Sequence, residues 1–261
     1  MSDNLANIID LASCPLKDAT YVQQCAANLE RDGVITIPGF LNDDVIQALV
    51  IEAEAHSEKA YFTSSTHNVY LTPPDPERGE GHVFNRQVSS SKGCITTDQV
   101  PKESALHKLY QSSDFKAFIA AVVGEEMLFE YGDPVAGINV HYAAAGQELG
   151  WHFDNSKFAI TLLLQKPKGG GAFEYVRDLR DADAGEMNFD GVEDVLDGKT
   201  DVSNVAIDPG TLVLFRGRNS MHRVTPTQGD TTRILVVLAY NAEPNIALSE
   251  SARLTFFGRL G

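Results

Sequence analysis

Three side chains in this sequence have the types and spacing to hold a transition metal. His152 and Asp154 stand two positions apart. On an extended chain, residues i and i+2 project to one face, so the imidazole and the carboxylate reach the same point. Alone, such a pair is a common accident. His222 adds a second imidazole 70 positions later, and Arg233 follows 11 positions after it. Two imidazoles and one carboxylate on a rigid β framework make the facial set suited to non-heme Fe(II), leaving coordination positions for a chelating cosubstrate and dioxygen. Arg233 opens an apolar strand. A guanidinium at the root of a buried strand needs an anion, and the far carboxylate of the cosubstrate would meet its planar fork.

The elements that must carry these residues follow from periodicity. From about Pro134 the apolar period is 2. Ile138-Asn139-Val140-His141-Tyr142 alternates, and Phe158, Ile160, Leu162 and Leu164 share one strand face. Leu212–Phe215 follows the turn Pro209-Gly210, and Ile234–Ala239 is a continuous apolar run, as expected of a central strand buried on both faces. The first third reads as helices over 21–31, 43–53, 103–110 and 113–123, with one early strand, Val34-Ile35-Thr36-Ile37. Residues 61–101 are rich in Pro, Ser, Thr and Gly without a period, and are read as ordered loop. Helices first and then many short strands predict a mainly β protein (α+β), a barrel or sandwich with helices outside it. The whole of 1–261 is read as one domain: 1–133 as mainly helical support and substrate loop, 134–245 as the barrel core. Residues 177–204 carry nine acids and three bases between two predicted strands. They read as a solvated, partly helical excursion or, alternatively, as a lid over the barrel mouth.

Charge narrows the partners. Lys plus Arg is 21 against 36 Asp plus Glu, a net charge of −15. Such a surface repels phosphate backbones and anionic membranes, so a small-molecule partner is expected rather than nucleic acid or membrane. Cys14, Cys25 and Cys94 form no CxxC pair and argue against a disulfide framework. The start, MSDNLANIIDLASCPL, lacks the basic-then-apolar pattern of a secretory signal, and the expected location is cytoplasmic.

The order HxD, His, Arg resembles the Fe(II)- and 2-oxoglutarate-dependent dioxygenases, whose fold is a double-stranded β-helix (a jelly-roll, cupin-like barrel). The runs Gly150-Trp151-His152-Phe153-Asp154-Asn155-Ser156, Thr161-Leu162-Leu163-Leu164-Gln165 and Gly170-Gly171-Ala172-Phe173-Glu174-Tyr175-Val176 resemble one branch more closely. So do Asn85-Arg86-Gln87-Val88-Ser89-Ser90 and Asn219–Pro226. That branch halogenates or hydroxylates free amino acids, and the likeness spans roughly 34–245. The resemblance implies Fe(II) on His152, Asp154 and His222, 2-oxoglutarate on Arg233, dioxygen as oxidant, and ascorbate as a supporting reductant. Either Asn139 or Tyr142, from the first barrel strand, would hydrogen-bond the cosubstrate. Arg86 would clamp a substrate carboxylate (the alternative being a surface arginine), with Trp151 and Asn155 as further substrate contacts, although a Trp beside a ligand histidine is more often packing. In the branch's halogenases a small residue replaces the carboxylate ligand; Asp154 therefore implies a hydroxylase.

Other residues carry plainer readings. His141 is a packed residue near the triad, and His56, His67, His82 and His107 are surface groups. Arg216 and Arg218 are loop contacts. Two rival functions stand: an oxygenase of the same superfamily acting on a protein side chain or another metabolite, with desaturation or cyclisation as outcomes, and a metal-binding barrel without catalysis. Neither GxSxG nor a Walker-type loop is present.

Overall fold

The computed structural model describes residues 5–261, so residues 1–4 of the single domain and of the stretch judged not to be a signal lie outside it. The helices α1 (Ala19–Asp32), α2 (Asp43–His56), α3 (Ala105–Gln111) and α4 (Ser113–Val123) fall close to where periodicity places them. Local chemistry sets their ends. Asp18 accepts a hydrogen bond from the Tyr21 N–H at the start of α1, and Gly33 closes it in the left-handed conformation at φ 71°.

Strand β1 (Val34–Ile37) follows, then a hairpin of β2 (Tyr61–Asn68) and β3 (Gln87–Ile95). After α4 come β4 (Phe129–Glu130), β5 (Ile138–Ala143), β6 (Leu149–His152), β7 (Ala159–Gln165), β8 (Gly169–Gly170) and β9 (Phe173–Val176). The acidic segment holds α5 (Phe189–Leu196) and leads into β10 (Ser203–Val205). The chain closes with β11 (Leu212–Phe215), β12 (Met221–Val224), β13 (Thr227–Gln228), β14 (Arg233–Leu238), β15 (Tyr240–Asn241) and α6 (Glu250–Phe257).

One antiparallel sheet runs β1-β11-β7-β14-β5-β3-β6-β12-β9-β10, with β2 on the free edge of β3. It curls as a jelly roll. β3 makes the corner, pairing with β5 through Gly93, Cys94 and Ile95 and with β6 through Ser90. This corrects the sequence reading of 61–101 as loop: β2 and β3 pair without interruption from Tyr61↔Cys94 to Asn68↔Gln87. Their Ser, Thr, His and Lys residues conceal the strand because much of the hairpin meets solvent or a polar interior, so apolar alternation is missing.

Residue parity separates the barrel's two faces. Ile138, Val140 and Tyr142 of β5, Ile160, Leu162 and Leu164 of β7, and Ile234, Val236 and Leu238 of β14 join the core shared with α1 to α4. Their neighbours Asn139, His141, Thr161 and Arg233 take the opposite side, the barrel interior. A second apolar cluster lies outside β6 and β12. There Val192 and Val195 of α5 pack with Val69, Tyr70, Val83, Trp151, Phe153 and Met221. The acidic segment is thus a docked cover with a polar outer face and an apolar inner one, rather than a freely solvated excursion.

Candidate metal centre

The register of β6 and β12 puts His152 directly opposite His222. Both rings are buried, with centroids 4.1 Å apart. Each has its Nδ1 beside a carbonyl two residues back, Gly150 O at 2.9 Å for His152 and Ser220 O at 3.0 Å for His222. A carbonyl can only accept, so Nδ1 carries the proton and each Nε2 offers a lone pair. Both Nε2 atoms point at one oxygen: Asp154 Oδ1 lies 3.7 Å from that of His152 and 3.6 Å from that of His222. One donor atom from each residue lies within 4.8 Å of the others. Burial and then the neighbouring His222 hold the His152 pKa well below its usual value, so this imidazole is neutral and free to bind metal.

Two observations test whether an ion fits. Asp154 Oδ2 is buried without a hydrogen-bond partner, a costly state for a carboxylate oxygen and one that a cation relieves. Three donors of types N, N and O on one side match the facial set. The residues fit a divalent first-row metal.

Gly217, which the sequence reading passed over, shapes this carboxylate. The Asp154 N–H donates to Gly217 O at 3.0 Å, and a Cβ on Gly217 would lie 2.6 Å from Asp154 Cγ. The carboxylate occupies the space that any other residue would fill. Gly217→Ala should therefore displace Asp154 and weaken iron binding by about tenfold or more, read by equilibrium dialysis of metal on the folded variant. Wild-type affinity in that variant would mean the carboxylate is free to rotate away without loss.

Aromatic rings wall the site. His222 meets Phe215 edge-on at 4.7 Å and Phe173 at 5.6 Å. His67 is not a surface group as expected: its Nε2 lies 2.7 Å from Ser90 Oγ, and its ring stands edge-on to His152 at 6.3 Å. His82 is also partly enclosed, edge-on to Phe189 at 4.9 Å.

The remaining sequence candidates divide by parity and by partner. Arg233 is buried on the interior face, and burial pushes its pKa down to about 10 with no carboxylate opposing the shift. Asn139 is interior as well, its amide donating to Val135 O and Ile138 O at 2.9 Å. Tyr142 is not in the interior. Its hydroxyl donates to Ala53 O of α2 at 2.7 Å, which corrects its expected place beside the cosubstrate. Trp151 is likewise corrected: it lies on the outer face of β6, under the Arg223 guanidinium at 4.8 Å. Asn155 is exposed at the rim, its carbonyl accepting from Arg218 at 3.0 Å.

Arg86, expected as the substrate clamp, ion-pairs with Asp197 and donates to Leu196 O at 3.2 Å. It ties the hairpin to α5. Arg216 and Arg218 pair with Glu30 and Asp183. Arg180 is a half-buried cation near the triad with no carboxylate ion pair among the described residues. It stacks on Phe153 at 4.1 Å, its Nε donates to Arg218 O at 2.9 Å, and the charge of Asp154 acts on it. Nothing in its sequence context sets it apart from the other basic residues of the segment.

A profile of the Halogenase D family matches residues 17–254, most of the chain and every residue of the triad. The chain belongs to the Halogenase D family. It is an Fe(II)/2-oxoglutarate-dependent oxygenase by superfamily, as its motifs imply. No curated protein matches the sequence. Solved structures similar to this Halogenase D family member share its fold at low identity. An oxidoreductase of the 2OG-Fe(II) oxygenase family from Burkholderia pseudomallei has 14% identity and a TM-score of 0.53, over 87% of this chain and 92% of that one. The non-heme α-ketoglutarate-dependent epimerase SnoN of nogalamycin biosynthesis has 15% identity and a TM-score of 0.59, over 85% and 84%. A prolyl hydroxylase from Trichoplax adhaerens, in complex with a hypoxia-inducible-factor peptide, has 14% identity and a TM-score of 0.52, over 86% and 95%. Among the described residues no helix of the Halogenase D chain is long and apolar enough to cross a membrane.

Proposed function

We propose that this oxygenase hydroxylates an unactivated C–H bond of a small free amino acid or amino-acid-like metabolite. The observation that carries the hydroxylase reading is Asp154: a carboxylate aims at the same point as the two imidazoles, where a halogenase of this kind has no carboxylate. His152, Asp154 and His222 would hold Fe(II), and Arg233 the distal carboxylate of 2-oxoglutarate. When bound, iron with 2-oxoglutarate and dioxygen supplies the oxidising power, and the products are hydroxylated substrate, succinate and carbon dioxide.

The chain's own residues do the rest. The carbonyls of Gly150 and Ser220 fix the two histidine tautomers. Phe173 and Phe215 keep water from the ring of His222. Asn139 and His141, rather than Tyr142, are the polar residues of β5 on the interior face, and the Asn139 amide N–H groups are taken by Val135 O and Ile138 O. Arg180 is a ready partner for the carboxylate of an amino acid, and the docked acidic segment closes over the same end. Arg86 serves this reading indirectly by holding α5 down.

A panel of free amino acids incubated with enzyme, Fe(II) and 2-oxoglutarate tests the substrate class through succinate release. One or a few free amino acids should stimulate it, and the same residues within peptides should not. Stimulation by peptides alone would replace this reading with that of a protein side-chain hydroxylase.

The cosubstrate role of Arg233 has its own measure. Arg233→Ala removes a charge-assisted, two-pronged contact of about 1.5–3 kcal/mol, so the 2-oxoglutarate requirement should rise by about 10- to 150-fold. An unchanged requirement would place the anchor elsewhere.

A further inference from the structure

The barrel interior holds a second cation besides Arg233. Cys94 of β3 pairs with His141 of β5, so Lys92, two positions back, shares the interior side of the sheet. Arg233 of β14 approaches from the other flank of β5, in register with Ala143 on that same side. Lys92 Nζ sits 3.4 Å from both ring nitrogens of His141. Lys92 is half-buried, as befits a side chain lining an internal space. His141 is kept uncharged, first by burial and then by Lys92 and Arg233.

Hydrogen-bond counting leaves this lysine incomplete. An ammonium has three donors, and a neutral imidazole accepts one. Two Lys92 donors therefore remain for a further partner, and among the described residues no carboxylate forms an ion pair with Lys92 or Arg233. Two cations without a paired carboxylate on one interior face favour an anion between them. The triad lies within reach of the same charge: Lys92 acts on both His152 and Asp154. In the strand order β14-β5-β3-β6, the strand of Lys92 stands between the strand of Arg233 and that of His152.

We propose that Lys92 is a second cationic contact for the dianionic 2-oxo dicarboxylate, made beside His141 and opposite Arg233. The proposal rests on 2-oxoglutarate being the cosubstrate. A compact ammonium on a flexible stem suits this place, because it can turn its free donors to whichever carboxylate oxygens the ligand presents.

The test is calorimetric binding of 2-oxoglutarate to the full-length protein loaded with Zn(II), which supports no turnover. Lys92→Met should weaken binding about tenfold or more, and Lys92→Arg should restore most of it. The ligand-free melting temperature of Lys92→Met should be unchanged or higher, because an unpaired buried charge is removed. If Lys92→Met binds 2-oxoglutarate as tightly as the wild type, the proposal is wrong. It is equally wrong if the ligand-free variant melts well below the wild type, since the lysine would then be structural. If the wild type itself binds no 2-oxoglutarate, the cosubstrate reading falls first and this inference with it.

Discussion

Replacing His222 by alanine should abolish iron binding and all turnover while the jelly roll stays folded. The ring is buried against Phe173 and Phe215, and its Nε2 faces Asp154 Oδ1 and the ring of His152 across the β6–β12 ladder. Removing it leaves a small cavity among these aromatics, worth about 1–3 kcal/mol of stability. The main core between the sheet and α1 to α4 is untouched, so circular dichroism should still show a native spectrum. Two ligands hold a divalent ion far less well than three, and no described His, Cys, Asp or Glu joins this cluster to replace the third. Equilibrium dialysis with Fe(II) reads the binding, and succinate release reads the turnover. A variant that keeps both would remove His222 from the metal site.

The second large effect concerns Asp154. In the halogenases that this chain resembles, a small residue stands at this position and chloride takes the coordination place. Asp154→Gly would open that place, but it also deletes the one anionic ligand, so iron should bind more weakly and chloride should recover part of the affinity. Gly217 would no longer face a carboxylate, leaving a polar hole where Asp154 now packs. Halogen transfer further requires the substrate carbon to be held nearer chloride than oxygen, and the unaltered pocket walls do not provide that. Hydroxylation should fall almost to nothing, with at most trace chlorination at high chloride, as product mass spectrometry with and without the salt would register. Undiminished hydroxylation in the glycine variant would show that the carboxylate is no ligand.

The residues that were legible in advance share one property: their surroundings are simple. Leu162, Leu214 and Val236 face a purely apolar core, so alternation reveals β7, β11 and β14. The i, i+2 geometry of His152 and Asp154 needs no knowledge of the fold. What stayed hidden depends on which side of a strand faces the helices. Asn139 and Tyr142 differ in parity, but only the packing of Tyr142 on α2 tells which one is interior. Trp151 next to a ligand histidine reads as packing or as a substrate contact, and the packing reading holds: adjacent strand residues point apart, and it faces outward under Arg223.

The β2–β3 hairpin and Lys92 were missed for a related reason. A strand that lines a polar cavity carries Ser, His and Lys where a buried strand carries Val and Leu, so its pattern reads as loop. The pairing of Arg86 with Asp197 is not legible in sequence, because Asp197 lies in a segment whose docking depends on Val192 and Val195 meeting an apolar surface assembled from four distant parts of the chain. Gly217 gives no signal at all in sequence, since its role is the absence of a side chain beside Asp154.

An intact His152–Asp154–His222 site should make this Halogenase D family member a hydroxylase. The decisive measurement is mass spectrometry of the product formed from a stimulating amino acid with Fe(II), 2-oxoglutarate, air and abundant chloride. The expected product is heavier by one oxygen atom and forms together with succinate, with no species showing the isotope pattern of chlorine. A chlorinated amino acid as the main product of the unaltered enzyme would contradict the hydroxylase reading.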